Sequence, residues 1–323
     1  MRLQIITTHY KEKPEIVYNF LDCLKVQQFV NFADFEVIIV NDGNFEPLDK
    51  EKLHSYPFNI TNITKEWGGI SEARELGMNE ATADYIMFCD CDDMFISVDA
   101  IINILAQIDS YKRDFIVTSI LSDHICRDNV GAVTYSAKEN ASMCMVHGKI
   151  IRRQFLIDNN IHWNNVIKTW HEDFYFMSLV LAAQPTISLL DTAVYLWKNT
   201  PGSVTDIASK DREVFEIQRN FVEYDILALL KQRNYQFFTI KLIDSLYNCY
   251  YWNEQGKKLA KPIDTLALSK KIMATYKEDF LKLSTTTIFN RINKYDKSLI
   301  IPTLFLKGSF MDWLKASMPK ESE

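Results

Sequence analysis

Cys89-Asp90-Cys91-Asp92-Asp93 packs three carboxylates into five positions, directly after the apolar run Tyr85-Ile86-Met87-Phe88. A buried strand that ends in such a cluster, with no lysine or arginine beside it in the sequence, holds like charges that repel one another. Burying an unpaired carboxylate is costly or forces it to take up a proton. A hard divalent cation such as Mn²⁺ or Mg²⁺ resolves that cost, since it prefers oxygen ligands and leaves coordination positions for substrate phosphates. The cluster therefore points to metal-assisted chemistry on a nucleotide-linked substrate. Taken alone, one Asp-Asp pair after a strand is more often a solvated turn or a helix cap.

A second acidic pair stands far downstream in Trp170-His171-Glu172-Asp173. A carboxylate in such a pair suits a general base, and its ordinary alternative is a helix start favoured by the helix dipole. Asn41-Asp42-Gly43-Asn44 closes another apolar run, and by itself it reads as a turn. Cys89 and Cys91 lack the second cysteine pair or histidine pair of a structural zinc site, and packing as small hydrophobes suits them better.

The elements that must position these groups alternate along the first part of the chain. Leu3–Thr8, Phe35–Val40, Phe58–Ile63 and Asp84–Phe88 have strand character, while Pro14–Gln28 and Ser71–Glu80 have helical spacing. Near-continuous apolar strands separated by helices predict an α/β domain with a mostly parallel sheet covered on both faces. Ligands of such sheets sit beyond the carboxyl ends of the strands. Thr7-Thr8-His9-Tyr10, Asn41-Asp42-Gly43 and Asp90–Asp93 all fall at those ends, so three polar clusters are expected on one rim. From Asp211 onward the spacing is helical over Val214–Leu230, Phe237–Tyr251, Ile263–Tyr276 and Pro302–Leu314, which predicts a helical C-terminal region.

Composition supports that division. The 323 residues are 47% hydrophobic, enough for a large core, and carry a net charge of −6. Residues 1–205 hold 17 basic and 27 acidic side chains, whereas 206–323 hold 19 basic and 15 acidic. Seven of the nine glycines also lie in the first part. A boundary near Pro201–Asp206 is therefore expected. The six scattered cysteines (23, 89, 91, 126, 144 and 249) read as reduced, core-filling thiols. Met1-Arg2 leads straight into a short strand, and no apolar run approaches a membrane span, so a cytoplasmic protein is expected.

Four pieces in order resemble glycosyltransferase family 2, a group of GT-A fold enzymes. They are Ile5-Ile6-Thr7-Thr8-His9-Tyr10; Val37-Ile38-Ile39-Val40-Asn41-Asp42-Gly43-Asn44; Glu72-Ala73-Arg74-Glu75-Leu76-Gly77 running into Ala83–Asp93; and Trp170-His171-Glu172-Asp173. The resemblance covers roughly residues 3–205. It implies a GT-A type sheet and an inverting, metal-dependent transfer of a sugar from a nucleotide diphosphate, UDP favoured, to an acceptor hydroxyl. It also implies the roles of single residues. Thr8, Tyr10 and Asp42 would hold the nucleoside, Asp42 by accepting the imide N–H of uracil. Arg74 matches a basic residue near the nucleotide. Ile70, Ser71, Gly77 and Met78 fill its helical neighbour positions, so no ion pair within its helix competes. Asp90 and Asp92 match the Asp-x-Asp motif, Asp92 binding the metal and Asp90 the ribose or the same ion, with Asp93 a further ligand. A third ligand stays open among His147, His171 and His9. Asp173 matches the catalytic base, and Lys198 a cation over the diphosphate, near the closing segment Pro201-Gly202-Ser203-Val204. Trp170, His171, Glu172 and Lys149 are candidates for the acceptor side, beside Arg152 and Arg153, with Trp163 and His162 as possible sugar platforms.

The acceptor is expected to be a glycan or envelope polymer. Two competitors are a hydroxylated base in DNA, with Lys257, Lys258, Lys261, Lys270 and Lys271 as phosphate contacts, and nucleotidyl transfer. The acidic first part disfavours DNA, and Thr8–Lys13 lacks the glycine of a phosphate loop. An inactive binding module is disfavoured by the intact Asp92 and Asp173. The C-terminal helices would bind acceptor or build a homo-oligomer, and Leu304–Leu314 could instead touch a membrane surface.

Overall fold

The computed structural model describes residues 1–43, 45–123, 132–168, 170–200, 212–256, 266–284, 286–288 and 291. Asn44, Cys126, the expected boundary with its Pro201–Val204 segment, the three lysines 257, 258 and 261, and the expected Pro302–Leu314 helix lie outside the described residues. The chain divides into two compact units, Met1–Lys210 and Asp211–Glu323.

The first unit is built on one mixed sheet. Its first elements are β1 (Leu3–His9), α1 (Pro14–Lys25), β2 (Phe35–Asp42), α2 (Lys50–His54), β3 (Asn59–Lys65), α3 (Ile70–Glu80) and β4 (Tyr85–Asp90). There follow β5 (Met94–Phe95), α4 (Ala100–Tyr111), β6 (Phe115–Ser122), β7 (Val133–Tyr135), α5 (Ala137–Ser142), β8 (Lys149–Arg152), α6 (Arg153–Asp158), α7 (Glu172–Ala182) and β9 (Ile187–Trp197). The strand order is β3-β2-β1-β4-β8-β6-β9-β5, with β7 paired to β6. β3, β2, β1 and β4 run parallel, β8 lies antiparallel to both β4 and β6, and β9 returns parallel to β6. Helical crossovers explain the parallel half. β8 is four residues long, too short to announce its direction.

Alternation along the central strands assigns the two faces. Leu3, Ile5, Val37, Ile39, Tyr85 and Met87 point into a core shared with Val17, Phe20, Leu21 and Leu24 of α1 and Ile101, Ile104 and Leu105 of α4. The opposite face carries Ile6, Val40 and Phe88. Gly77 of α3 lies so close to Ile6 that an added Cβ would stand 2.5 Å from its Cγ2. Phe88 meets Trp163 and Phe176 edge-on, and those two rings stack at 4.2 Å. Each such side chain contributes about 1.5–3 kcal/mol on burial. α1 ends at Lys25, short of the expected Gln28, because Gln27 turns its amide onto the carbonyls of Cys23 and Ser97.

The second unit is helical in its described residues: α8 (Arg212–Arg233), α9 (Tyr235–Gly256) and α10 (Leu266–Leu281). Ile226, Leu230, Phe238, Leu242, Ile272, Met273 and Phe280 are buried in it. Arg291 grips Asp244 through two 2.7 Å bonds, and Lys231 pairs with Asp279 at 2.8 Å. No helix among the described residues is long and apolar enough to cross a membrane.

Candidate active site

The parallel register aligns the polar strand ends. His9 faces Asn41, Asp42 faces Lys65, and Thr8 faces Asp90. Beyond these ends stand three aromatic rings. Tyr10 packs edge-on to Phe45 at 5.0 Å and lies 6.4 Å from Trp67, and Lys11 sits 4.8 Å above Tyr10. Phe45 and Trp67 are half exposed.

Asp42 is buried and already committed. Its carboxylate accepts from Lys65 Nζ at 3.0 Å and from the backbone N–H groups of Gly68 and Gly69 at 2.7 and 2.8 Å. The loop before α3 is thereby tied to the end of β2. Gly69 has φ +93°, and a Cβ there would meet the Lys168 backbone at 2.8 Å, so only glycine fits. With two lone pairs on each oxygen, Asp42 retains acceptor capacity for a ligand N–H.

The acidic cluster is not bare of cations, contrary to the expectation from its sequence neighbours. Arg74, 3% exposed on α3, extends its guanidinium to Asp90 at 2.8 Å, Glu172 at 3.1 Å and Asp173 at 2.5 Å. Its back lies 5.0 Å from the Trp163 ring. Burial opposes the charge, but the carboxylates of Asp173, Asp90 and Glu172 outweigh it and hold the guanidinium protonated. Burial likewise opposes the Asp90 charge, and Arg74 and His147 overcome it, keeping that carboxyl well below the usual carboxylate range.

Asp90 also meets His147, whose Nε2 is 3.1 Å from Asp90 Oδ2 and 3.7 Å from Asp93 Oδ2. The imidazole is held between the rings of Tyr195 and Trp197, at 5.7 and 5.3 Å, and its Nδ1 is buried with no hydrogen-bond partner. Asp93, 2% exposed, accepts the Tyr195 O–H at 2.6 Å and the Lys198 backbone N–H at 2.7 Å. Burial, reinforced by the Asp90 charge and only partly offset by His147, pushes its carboxyl up to about 8. Ligand atoms of Asp90, Asp93 and His147 lie within 4.8 Å of one another. Two carboxylates and an imidazole suit Mn²⁺ or a comparable divalent transition ion, whereas Mg²⁺ prefers oxygen ligands alone, so the donor set fits the Mn²⁺ that the sequence implied. Of the three histidines left open, His147 is the one in that set. Asp92 is outside it: half-buried, it lines a cleft of about 490 Å³ with Lys198, Thr200 and the apolar Met94, Phe95 and Ile96. Burial and the Asp90 charge raise the Asp92 carboxyl.

Glu172 and Asp173 open α7 after two residues in left-handed backbone, Trp170 at φ +57° and His171 at φ +62°. Non-glycine residues rarely adopt this conformation, and strain of this kind gathers at functional sites. Asp173 also accepts the Val146 N–H at 3.3 Å. Burial and the Asp173 charge push the Glu172 carboxyl up to about 7.

Other candidates lie elsewhere. Lys149, 1% exposed, turns its ammonium onto the carbonyls of Met143 and Met145, and burial pushes it down to about 8, so it offers no surface to an acceptor. Trp163 is a core residue instead of a sugar platform, and His162 pairs with Glu75 at 2.8 Å. Lys198 is exposed, with its backbone anchored to Asp93. Cys89 and Cys91 are buried, and burial raises both thiols far above their ordinary value. Sequence reasoning missed Lys65 beside Asp42, Tyr195 on Asp93, and the reach of Arg74 to α7. None of these has a local spacing signal.

Comparison with known proteins follows the same outline. The sequence model described as Glycosyl transferase family 2 matches residues 4–179, more than half of the chain. The minor teichoic acid biosynthesis protein GgaB of Bacillus subtilis is 34% identical over 98 residues, covering 29% of this chain and 11% of that protein. The poly(ribitol-phosphate) beta-N-acetylglucosaminyltransferase TarS of Staphylococcus aureus is 21% identical over 237 residues, covering 70% of this chain and 41% of that one. The crystal structure of S. aureus TarS 1-349 in complex with UDP-GlcNAc shares the fold, with a TM-score of 0.58 and 17% identity over 98% of this chain and 90% of that one.

Proposed function

The chain belongs to glycosyl transferase family 2, and on that premise we propose that it moves a sugar from a nucleotide diphosphate to a hydroxyl of a cell-envelope polymer, with inversion. The observation that carries this reading is the meeting of Asp90, Asp173 and Glu172 on one guanidinium, although β4 and α7 are some eighty residues apart in sequence. A donor-anchoring carboxylate and a base are the two parts such a reaction needs side by side.

In this reading Asp42 and Lys65 recognise the nucleobase edge, with Tyr10 flanking the base and Thr8 the ribose. UDP is favoured because the Asp42 side chain can accept the uracil imide N–H, and the donor in the crystal structure of TarS 1-349 supports the choice. Asp173 takes the acceptor hydroxyl proton as the oxygen attacks the anomeric carbon. The carbon–oxygen bond to the diphosphate breaks on the opposite face, and the nucleoside diphosphate departs. Lys198 stands near enough to the cleft at Asp92 to offset its charge. Asp90, Asp93 and His147, with Asp92 at the adjoining cleft, would hold a divalent cation that stabilises the leaving diphosphate. Trp170 and His171 border the acceptor side. The polymer acceptor is supported by the names of both relatives. Residues 206–323 would bind that polymer or a second copy of the chain, and the free thiols fit a cytoplasmic site of action.

Thermal-shift screening of nucleotide sugars with Mn²⁺, then assay of nucleoside diphosphate release and of sugar transfer onto ribitol-phosphate polymer, tests the proposal. One donor should raise the unfolding temperature only with the metal present. Silence from every donor would remove the reading.

A further inference from the structure

Arg74 does not behave as a nucleotide contact. A residue that greets a diphosphate keeps a face open to it, yet Arg74 is 3% exposed and walled by the Trp163 ring at 5.0 Å. Three of its five N–H groups are directed at protein carboxylates: one from Nη2 on Asp90, and Nη1 on both Glu172 and Asp173. Neither does it behave as a stabiliser alone. One cation among three carboxylates carries a desolvation cost that a well-packed apolar cluster would avoid, so such networks are poor sources of stability. What the arrangement does provide is geometry. A guanidinium is planar and rigid, and its fork fixes the relative positions of the carboxylates it binds. Glu172 and Asp173 are successive residues on the first turn of α7, where side chains diverge by about 100°. Here both carboxylates turn to one group, held there by the left-handed pair Trp170–His171.

We propose that Arg74 is a positioning residue that sets the distance and orientation between Asp173 and the Asp90 loop, so that base and donor site act in register. The network continues from Asp90 to His147, Asp93, Tyr195 and the Lys198 backbone, which ties four elements to one another. This inference rests on the transferase reading, and its test separates the two.

Donor affinity is measured by calorimetry and turnover by product release for wild type, Arg74→Lys and Arg74→Ala. Lysine keeps the charge but cannot fork to three carboxylates. For Arg74→Lys, donor Kd and KM stay within about twofold while kcat falls by about 10²-fold, the scale of a small misplacement of reacting groups. Guanidinium ion, supplied during refolding and assay, restores turnover to Arg74→Ala, and methylammonium does not. A fall in donor affinity with kcat unchanged would overturn the inference, because Arg74 would then touch the donor. So would full turnover in the lysine variant, or failure of guanidinium to restore turnover to the alanine variant. A wild-type protein that binds no nucleotide sugar defeats the transferase reading itself, an outcome visible before any variant is made.

Discussion

At the scale of single residues, the carboxylates differ by what faces them. Among the described residues Asp173 accepts from Arg74 and the Val146 amide, and a carboxylate with two such bonds keeps lone pairs for a hydroxyl. Asp173→Asn preserves shape and removes the proton acceptor. Its kcat should fall by about 10²–10⁴-fold with donor Kd retained; turnover at the wild-type rate would strip Asp173 of the base role. The His147 imidazole bridges Asp90 and Asp93 through Nε2, and its Nδ1 has no hydrogen-bond partner among the described residues. His147→Ala should move the midpoint of a Mn²⁺ titration of donor binding by at least about tenfold. An unmoved midpoint would exclude the imidazole from the ion's ligands.

At the scale of elements, the sequence disclosed some things and hid others for definite reasons. β1, β2 and β4 were legible because buried central strands are continuous apolar runs, and their polar ends therefore stood out. β8 was hidden because Lys149-Ile150-Ile151 is too short to show a period. The partners of Arg74 were hidden because Glu172 and Asp173 lie almost a hundred residues away, and no helical spacing rule reaches that far. Two junctions invite measurement. Gly148, just before β8, has φ +66°, and a Cβ would stand 2.4 Å from Ile120 and 2.7 Å from Thr118 Oγ1. Gly148→Ala should destabilise the fold by about 1–3 kcal/mol in urea unfolding, and a neutral result would mean the β6–β8 junction yields freely. Asp114, before β6, accepts from Arg152 at the end of β8 and from Thr186 before β9. These bonds outweigh burial and hold its carboxyl below the usual carboxylate range in the folded state. A depressed carboxylate stabilises above its unfolded value, near about 3.9, and the gain is lost as pH falls through the folded value. Asp114→Asn should therefore cost about 1–3 kcal/mol at pH 7, and the gap to wild type should close as pH falls below about 4. A gap that persists into acid would assign the effect to shape instead of charge.

At the scale of the whole molecule, the two units differ in kind, one a sheet with an acidic rim and the other a set of helices with its own ion pairs. All the site residues named above belong to the first. Saturating donor with Mn²⁺, at about a hundred times Kd, should raise the unfolding free energy of that unit by about 2.7 kcal/mol. A calorimetric scan that shifts only the helical unit would contradict the location of the site. The central place of β1 has a separate consequence during synthesis. Its two neighbours, β2 and β4, begin 26 and 76 residues after it ends. On a ribosome adding roughly 5–20 residues per second, one edge of β1 waits about 4–15 s for β4 to emerge. Nascent chains are therefore prone to clumping in that interval, and slowing translation would lengthen the exposure of a row of unpaired backbone N–H and C=O groups that the finished sheet pairs on both sides.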